Sequence, residues 1–174
     1  MLQSIDLATG NGLPGAAAAQ AAAEGISDRA EEIERSVRMA LESRAVRAAV
    51  ASGRYWREVY VAAPIDGAII EGFIDLLYET PEGLVIVDHK TDRIPNEAEL
   101  DAALGCYRLQ GAAYALALGE ALGRPVAGCR FVFVSTSGPV EREVADLPEA
   151  IREVASKVGM LSQLEQRADP RIQP

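Results

Sequence analysis

Apolar and polar positions alternate along the middle of the chain in a pattern typical of antiparallel strands. Residues 68–78 and 84–88 are rich in strand formers, and the TPEG sequence of residues 80–83 between them is typical of a turn. Two such stretches around a short turn predict a β-hairpin. Residues 56–61 also alternate with a period of two, and Asp66-Gly67 is a common hairpin turn. We therefore expect three consecutive antiparallel strands.

The rest of the chain shows helical periodicity, with apolar residues recurring every three or four positions. Residues 15–25 are rich in alanine, Ser27 is a typical helix cap, and Gly25 and Gly123 are typical of helix ends. We expect helices over residues 15–25, 30–41, 42–52 with a break at Ser43, 97–122 and 149–166, and two further short strands over residues 130–135 and 140–144.

The order of these elements predicts the fold class. Helices come first, followed by three strands, a long helix, two strands and a final helix, which indicates an α/β fold with a mixed central sheet. The 174 residues are enough for one domain with its own core. We expect a single domain with an ill-defined start (1–14), N-terminal helices (15–53), a sheet with the long helix (54–146), a C-terminal helix (147–168) and a loose tail (169–174).

The composition narrows the function classes. A net charge of −9 argues against a free-standing general binder of nucleic acids, because phosphate contacts need clustered Lys and Arg. It does not exclude an enzyme to which another protein delivers the substrate. Cys106 and Cys129 lack the spacing of a metal site, so we expect reduced thiols in a cytoplasmic protein. We expect no membrane span, because no apolar run is long enough.

The predicted hairpin brings acidic side chains together. If residues 80–83 form the loop, Asp75 lies opposite Asp88 on the neighbouring strand. Directly opposed carboxylates repel each other, and a divalent cation between them reverses the sign of that interaction. Strand alternation places Lys90 on the same face as both carboxylates and His89 on the opposite face. The pattern therefore predicts a metal site, and Lys90 stands out because it is one of only two lysines in the chain.

Each of these residues also has a structural alternative. An Asp-x-Lys sequence on a strand is commonly an exposed ion pair, and Glu58 follows Arg57, so it fits a solvated ion pair equally well. An unpaired carboxylate such as Asp75 within an apolar strand is costly, which favours a functional role. His89 fits a packed side chain on the far face of the strand, and Trp56 is expected in the core rather than stacked on nucleic-acid bases.

Four segments together resemble one enzyme family: Glu58, the GFID of residues 72–75, the DHKTD of residues 88–92 and the QGAAY of residues 110–114. In order and spacing they are similar to the motifs of PD-(D/E)XK nucleases. More narrowly, they resemble the RecB-type nuclease domain at the C-terminus of UvrD-like and AddA-type helicases. The resemblance covers roughly residues 26–135. It implies a restriction-endonuclease-like core, with a mixed sheet of about five strands flanked by helices.

The resemblance also implies roles for individual residues. The metal would be magnesium or manganese, bound by carboxylate and carbonyl oxygens together with waters, and Lys90 would assist the attacking water. The backbone carbonyl of His89 is positioned as a further ligand. The implied catalytic residues are Asp75, Asp88, Lys90 and Glu58; the metal ligands are Asp75, Asp88 and the His89 carbonyl; and the substrate-binding residues are Gln110 and Tyr114, four positions apart on one helix face.

One position departs from the family pattern. RecB-type relatives usually supply another metal ligand from a histidine on an upstream helix, whereas His89 is the only histidine in this chain. We therefore expect the chain to be a fragment of a larger helicase–nuclease, cut just downstream of that histidine. The missing ligand lowers the metal affinity, and hence the activity, that we expect of the isolated chain.

The predicted function is a metal-dependent deoxyribonuclease domain that hydrolyses phosphodiester bonds in single-stranded DNA during double-strand break processing and recombinational repair. The helicase domains of the parent chain would deliver the DNA, and a second subunit is a further expected partner. One alternative is a non-catalytic scaffold or interaction domain that has kept the nuclease fold. Another is a small restriction-like or repair nuclease that acts alone, which the acidic charge disfavours.

Overall fold

Helices and strands follow one another in the order that the sequence predicts. The computed structural model describes residues 4–90, 97–135 and 138–168. Within them the helices are α1 (Leu13–Ala23), α2 (Ala30–Leu41), α3 (Arg44–Ser52), α4 (Glu97–Leu122) and α5 (Leu147–Ala168), and the strands are β1 (Tyr55–Ile65), β2 (Ala68–Thr80), β3 (Gly83–Lys90), β4 (Val126–Ser135) and β5 (Gly138–Glu143).

The strands form a mixed five-stranded sheet in the order β1-β2-β3-β4-β5. β3 and β4 run parallel, whereas the other neighbouring strands run antiparallel. A parallel pair needs a long crossover connection, and α4 lies in the connection from β3 to β4. The predicted α/β class with a mixed central sheet is confirmed.

The register between β2 and β3 is the one that the hairpin pattern predicts. Glu79 pairs with Leu84, as expected from the position of the turn. The turn is shorter than expected, because Thr80 also pairs with Gly83 and leaves only residues 81–82 as the loop. This fixed register places the following residues of β3 at defined positions beside β2.

Each face of the sheet packs against its own helices. Because both faces are covered, the central strand β3 is a nearly continuous apolar run with no alternation. The α4-side core lies under α4 and α5 and includes Ile74, Leu77, Ile86, Ala112, Leu118, Phe131 and Val154. The α3-side core lies under α1 and α3 and includes Leu13, Val46, Leu76, Val85, Val87 and Val132.

The helix starts differ from expectation at one cap. α2 ends at Leu41, and Ser43 caps α3, since its side chain accepts a hydrogen bond of 3.2 Å from the N–H of Val46. Ser27 was expected to cap α2, but the residue at the start of α2 is Arg29. The N–H of Arg29 donates instead to the carbonyl of Ile26, so a 3-10 turn over residues 27–29 comes between Ser27 and α2.

Trp56 was expected in the core and is 42% exposed, so that expectation is wrong. Its partner across the ladder, Leu77, is buried. Trp56 lies near the start of β1, which is an edge strand of the sheet. An edge strand has a neighbour on one side only, and solvent reaches the ring from the other.

The two thiols differ in their surroundings. Cys106 is exposed on α4, Cys129 is buried in β4, and both are free cysteines in the structure. Burial raises the pKa of the Cys129 thiol to about 12. Among the described helices, none has the length and apolar character that crossing a membrane requires.

Candidate active site

The predicted site residues gather where β2 and β3 stop pairing. The last regular pair of the ladder is Leu76 with Val87, one step before Asp75 and Asp88. Beyond this pair, the link between the two strands is made by the Asp75 side chain and not by a backbone carbonyl. Its Oδ2 accepts a hydrogen bond of 2.7 Å from the N–H of His89. The two carboxylates therefore lie at the end of the ladder rather than inside it.

Asp88 is a buried carboxyl group, only 5% exposed. Its Oδ2 lies 2.6 Å from Nζ of Lys90. The pKa of Asp88 is raised above its ordinary value, first because burial penalises the charged form and also because the charge of Asp75 is near, while Lys90 opposes the rise. The two carboxylates thus interact, as the predicted register requires.

The carboxyl group of Asp75 is shifted the other way. Burial by itself raises the pKa of Asp75, but the hydrogen bonds from His89 and the charge of Lys90 outweigh it and hold the pKa below its ordinary value. Two neighbouring carboxyls with pKa shifts of opposite sign are typical of functional sites.

Lys90 is held by groups from two other elements besides Asp88. Its Nζ donates a hydrogen bond of 2.7 Å to Oε1 of Gln110 in α4. The same atom lies 4.6 Å from the ring centroid of Tyr107 and 5.3 Å from that of Phe131. A cation over aromatic faces is attracted by their negative π-electron surfaces. The ammonium group is therefore fixed in position by charge, hydrogen bonding and packing together.

Gln110 and Tyr114 continue this polar chain along α4. Nε2 of Gln110 donates a hydrogen bond of 3.0 Å to the hydroxyl of Tyr114. The amide orientation is determined, because an ammonium has only donors and must face the amide oxygen. Residues four apart lie on one helix face, as expected. Side chains from Asp88 to Tyr114 thus form one connected chain of contacts.

Glu58 marks a break in the regular alternation of β1. It falls between two regular pairs of the β1–β2 ladder, at the position opposite Asp75. Its φ of 50° is in the left-handed region, which residues other than glycine rarely adopt. In β2, Ile74 packs in the α4-side core and Leu76 in the α3-side core, so the alternation changes face at this point. Irregularities of this kind redirect side chains near functional sites.

The side chain of His89 does not lie apart from Asp75 as strand alternation predicts. Its Nδ1 is 3.5 Å from Oδ2 of Asp75. Both ring nitrogens are buried, and among the described residues neither makes a hydrogen bond of regular geometry, although Nδ1 lies close enough to Asp75 to help lower the pKa of its carboxyl group. His89 itself keeps the predicted alternation, because it pairs with Val132 of the α3-side core, whereas Asp88 and Lys90 pair with Phe131 and Phe133 of the α4-side core. The irregular residue is Asp75, which lies between Ile74 and Leu76 where the alternation of β2 changes face. The Asp75 carboxylate reaches the His89 N–H and so comes beside the ring.

The sequence profile of the PD-(D/E)XK nuclease superfamily matches residues 7–174. The chain belongs to this superfamily. The match includes every site residue described above, and it confirms the resemblance carried by the sequence motifs. It also agrees with the mixed sheet flanked by helices, which is the restriction-endonuclease-like core of PD-(D/E)XK proteins.

Two of the proteins that are similar to this chain illustrate the match. An ATP-dependent helicase/nuclease subunit of Desulforudis audaxviator (strain MP104C) is 37% identical over 78 residues, which cover 45% of this chain and 6% of that protein. A crystal structure from Eubacterium rectale, of a protein provisionally assigned as an exonuclease, has a TM-score of 0.53 and 15% identity over 88% of this chain and 65% of that one. This second likeness shows the fold alone, and the matched part of the chain is a small fraction of the helicase/nuclease protein.

PD-(D/E)XK nucleases generally use divalent metal ions, and the donors at this site fit such an ion. Asp75 and Asp88 offer carboxylate oxygens. Oδ2 of Asp88 is buried, and no well-aligned hydrogen-bond donor reaches it from the part of the chain that the structure describes, although Lys90 is near. In the described ranges, no three His, Cys, Asp or Glu side chains form a closed metal cluster. Magnesium keeps several waters and needs only one or two protein carboxylates, so the fit is to an open site.

Some residues of the site were missed or cannot be placed. Tyr107 was not among the predicted site residues; it packs against the α4-side core, and its ring lies under Lys90. Its position three residues before Gln110, on the same helix face, is a signal that could have revealed it. Thr91 and Asp92, the last residues of the DHKTD motif, lie outside the described residues.

Proposed function

We propose that this chain is the nuclease domain of a larger helicase–nuclease and that it hydrolyses phosphodiester bonds in DNA with a magnesium or manganese ion. The observation that carries the proposal is the buried Asp88–Lys90 ion pair beside Asp75, in a protein of the PD-(D/E)XK superfamily. A buried ion pair adds little to stability, because desolvation offsets the attraction between its charges. Its presence here is better explained by chemistry than by folding.

The two carboxylates have the properties of metal ligands. Asp75 and Asp88 would hold the ion, with the backbone carbonyl of His89 as a further ligand. A bound divalent ion supplies a water of lowered pKa and neutralises charge that grows on the phosphate. Because Asp88 is buried, its attraction for a cation is screened less than it would be at the surface.

Lys90 contributes a positive charge in a fixed position. Its contacts with Asp88 and Gln110 hold Nζ within 2.7 Å of both partners. A preorganised charge stabilises the negative charge of the transition state without further reorganisation, and it can orient the attacking water. Glu58, opposite Asp75 in the ladder, is the fourth proposed catalytic residue. Gln110 and Tyr114 are the α4 side chains proposed to contact the DNA.

The proposed substrate is single-stranded DNA that an attached helicase feeds to the domain during double-strand break processing and recombinational repair in the cytoplasm. The similarity to a helicase/nuclease protein supports this assignment, and so does the net charge of −9. An acidic domain gains little from free encounter with DNA, so another part of the assembly would hold the strand. We extend the proposal to a further partner, a second subunit, and to an upstream histidine in the full-length protein that would be an additional ligand.

A non-catalytic scaffold is the competing candidate. The small number of protein ligands favours it, since the described side chains form no metal cluster of three or more His, Cys, Asp or Glu. A scaffold that kept the nuclease fold needs no affinity for divalent metal. Metal binding between Asp75 and Asp88 therefore distinguishes the two functions.

The experiment that tests the proposal measures manganese-dependent cleavage of labelled single-stranded DNA by this chain and by three variants. Asp88→Ala removes a metal ligand and should abolish both cleavage and manganese binding measured by calorimetry. Lys90→Ala should lower the cleavage rate about 100- to 1,000-fold while leaving manganese binding largely intact. Lys157→Ala is the matched control, because Lys157 is the other lysine and lies 56% exposed on α5.

Three results would contradict the proposal. Equal loss of activity in the Lys157 variant would show that the effect is not specific to the site. Absence of both cleavage and manganese binding, in this chain and in a longer one that includes the upstream segment, would favour the scaffold. Cleavage that survives in the Asp88 variant would place the active site elsewhere.

A further inference from the structure

Gly72 occupies a position where the backbone has no need of glycine. It pairs with Val61 in the middle of the β1–β2 ladder, and its φ is not among the positive values. Glycine in the middle of a strand is destabilising relative to alanine. A glycine inside a strand often marks a site where another group approaches the backbone closely.

The group that approaches Gly72 is the ring of Tyr114. A Cβ at position 72 would lie 2.5 Å from Cε1 of Tyr114, and 3.2 Å from both Cζ and the hydroxyl oxygen. The first distance is well below van der Waals contact, so any larger residue at position 72 requires the ring to move. The Tyr114 ring therefore packs directly against the backbone of β2 at Gly72.

Tyr114 influences the position of Lys90 through one intervening side chain, that of Gln110. The Tyr114 hydroxyl accepts a hydrogen bond of 3.0 Å from the Gln110 amide, and the oxygen of that amide accepts a hydrogen bond of 2.7 Å from Nζ of Lys90. With the amide nitrogen held by Tyr114, the amide oxygen is turned toward Lys90. Loss of the ring position frees the amide to rotate and removes a fixed acceptor from the ammonium group.

We propose that Gly72 is a positioning residue that acts through Tyr114 and Gln110 to hold Lys90 against Asp88. Its role in catalysis rests on the proposed function, whereas its effect on the geometry of Lys90 does not. The same chain of contacts gives Tyr114 a task besides contact with DNA, since its hydroxyl fixes the orientation of Gln110. Asp75 is three residues beyond Gly72 on the same strand, so one segment of β2 supplies both a carboxylate of the site and the surface against which Tyr114 packs.

The two lysines of the chain make the test direct. Protein labelled with ¹³C at lysine Cε gives one methylene signal from Lys90 and one from Lys157. Lys90 lies over the rings of Tyr107 and Phe131 and is 13% exposed, whereas Lys157 is 56% exposed. The Lys90 signal should therefore be shifted upfield by ring currents and should show inequivalent protons, while Lys157 gives the signal of a mobile lysine.

Gly72→Ala should move the Lys90 signal toward that of Lys157, measured at fixed pH without metal. Tyr114→Phe, which removes only the hydroxyl and creates no overlap, should move it in the same direction. Gly105→Ala is the matched control, because position 105 is also a glycine and an added Cβ there meets no atom within 4 Å. In a Tyr114→Ala background, adding Gly72→Ala should cause no further shift, since the ring with which Cβ would overlap is gone.

An unchanged Lys90 signal in folded Gly72→Ala protein would overturn the proposal. If that variant does not fold, an unchanged signal in Tyr114→Phe overturns it instead. A full additional shift in the Tyr114→Ala background would also overturn it, because Gly72 would then not act through the ring.

Cleavage assays on the same variants connect this geometry to catalysis. Gly72→Ala should lower kcat about 10- to 100-fold with little change in KM, because a misplaced catalytic group slows the chemical step. If the unmodified chain cleaves no DNA, the proposed function fails, and the lysine spectrum still decides whether Gly72 positions Lys90. If Gly72→Ala shifts the spectrum but leaves kcat unchanged, the catalytic part of the proposal is wrong.

Discussion

At the scale of single residues, Asp75 and Asp88 differ in the partners that oppose the effect of burial on their pKa values. The hydrogen bonds of Asp75 come from His89, whereas Asp88 is deeply buried and has Lys90 as its cationic partner. The pKa of Asp75 is therefore lowered and that of Asp88 is raised. Their contributions to stability must depend on pH with opposite signs.

Replacing Asp88 with Asn should make this pH dependence visible. Because the pKa of Asp88 is raised by folding, the folded chain still holds this proton at pH values above 3.8, where the unfolded chain has lost it. The stability that Asp88 contributes therefore falls as pH rises through the raised pKa. The Asp88→Asn variant has no ionisable group at this position, so its stability does not fall in this way. In metal-free buffer, its free energy of unfolding relative to the unmodified chain should increase from about pH 3.5 to pH 7.

Asp75→Asn is the control with the opposite expected sign. A lowered pKa contributes stability above the ordinary value of 3.8 that is lost as pH falls, so this variant should lose stability relative to the unmodified chain as pH rises through the acidic range. Urea unfolding followed by circular dichroism at several pH values measures both differences. Curves for the two variants that run parallel would contradict the assigned shifts.

The two cysteines should differ in reactivity. Cys129 is buried with a pKa of about 12, so its thiolate is scarce at neutral pH, while Cys106 is exposed. A thiol reagent such as dithionitrobenzoate should modify one thiol promptly and the second only after unfolding in urea. Cys106→Ser is the control, and it should abolish the prompt reaction. Two equally fast reactions in the native protein would contradict the burial of Cys129.

The sequence predicted the members of the site better than their exact contacts. Turn chemistry defined the register and so placed Asp75 opposite Asp88, because hairpin pairing propagates regularly from the loop. His89 lies on the predicted face of β3, but its contact with Asp75 was not predicted, because the alternation of β2 changes face at Asp75. The left-handed backbone of Glu58 has no local sequence signal, since it depends on the packing of the neighbouring strand.

At the scale of elements, α4 was predicted over the range that the structure shows, residues 97–122. Its sequence is rich in Ala, Leu and Glu and contains no proline, so helix propensity and length predict it, although its apolar residues are not confined to one face. The closeness of α4 to the sheet was not predicted. It depends on Gly111, where an added Cβ would lie 2.7 Å from Sγ of Cys129 and 3.2 Å from Cζ of Phe131.

Gly111→Ala should therefore destabilise the protein even though alanine favours helices. The gain in helix propensity is about 1 kcal/mol, whereas overpacking a tight core typically costs about 1–3 kcal/mol. Gly105→Ala on the same helix meets no atom and should be neutral or stabilising by up to about 1 kcal/mol. Urea denaturation of both variants measures the difference. Equal stabilisation by both substitutions would show that α4 lies farther from β4 than described.

Capping illustrates why boundaries are harder to predict than elements. Ser43 and Ser27 are the same residue type before a helical pattern, yet only Ser43 caps its helix. The difference arises from the backbone bond between Arg29 and Ile26, which adds a 3-10 turn. A residue preference is shared by many geometries, and the path of the chain before the helix selects among them.

At the scale of the whole molecule, the mixed sheet followed from the order of elements alone. Three strands joined by tight turns must be antiparallel, and a 26-residue helix before the fourth strand allows a parallel return. The RecB-type resemblance implies a further histidine ligand, and the one histidine of this sequence lies beside Asp75. Under the proposed function, an upstream histidine would add a ligand to the two carboxylates.

A longer chain that includes the proposed upstream histidine should bind manganese more tightly than this one. Mutating a single group that supports a metal site typically lowers metal affinity about 10- to 100-fold. We expect the added histidine to raise manganese affinity by a similar factor. Isothermal titration calorimetry on both chains measures it, with alanine in place of the upstream histidine as the control. Equal affinities would show that the two carboxylates hold the ion without help from upstream.

The connection through α4 also has a consequence for how the molecule folds. Lys90 ends β3, and its partner Gln110 lies within the helix that must cross the sheet before β4 can pair with β3. The contact spans 20 residues, no more than the outer pairs of the β1–β2 hairpin, so chain length alone does not delay it. It requires α4 to pack on the sheet, and before that step Lys90 has no partner on the helix. We therefore expect Lys90 to become ordered only when α4 has packed.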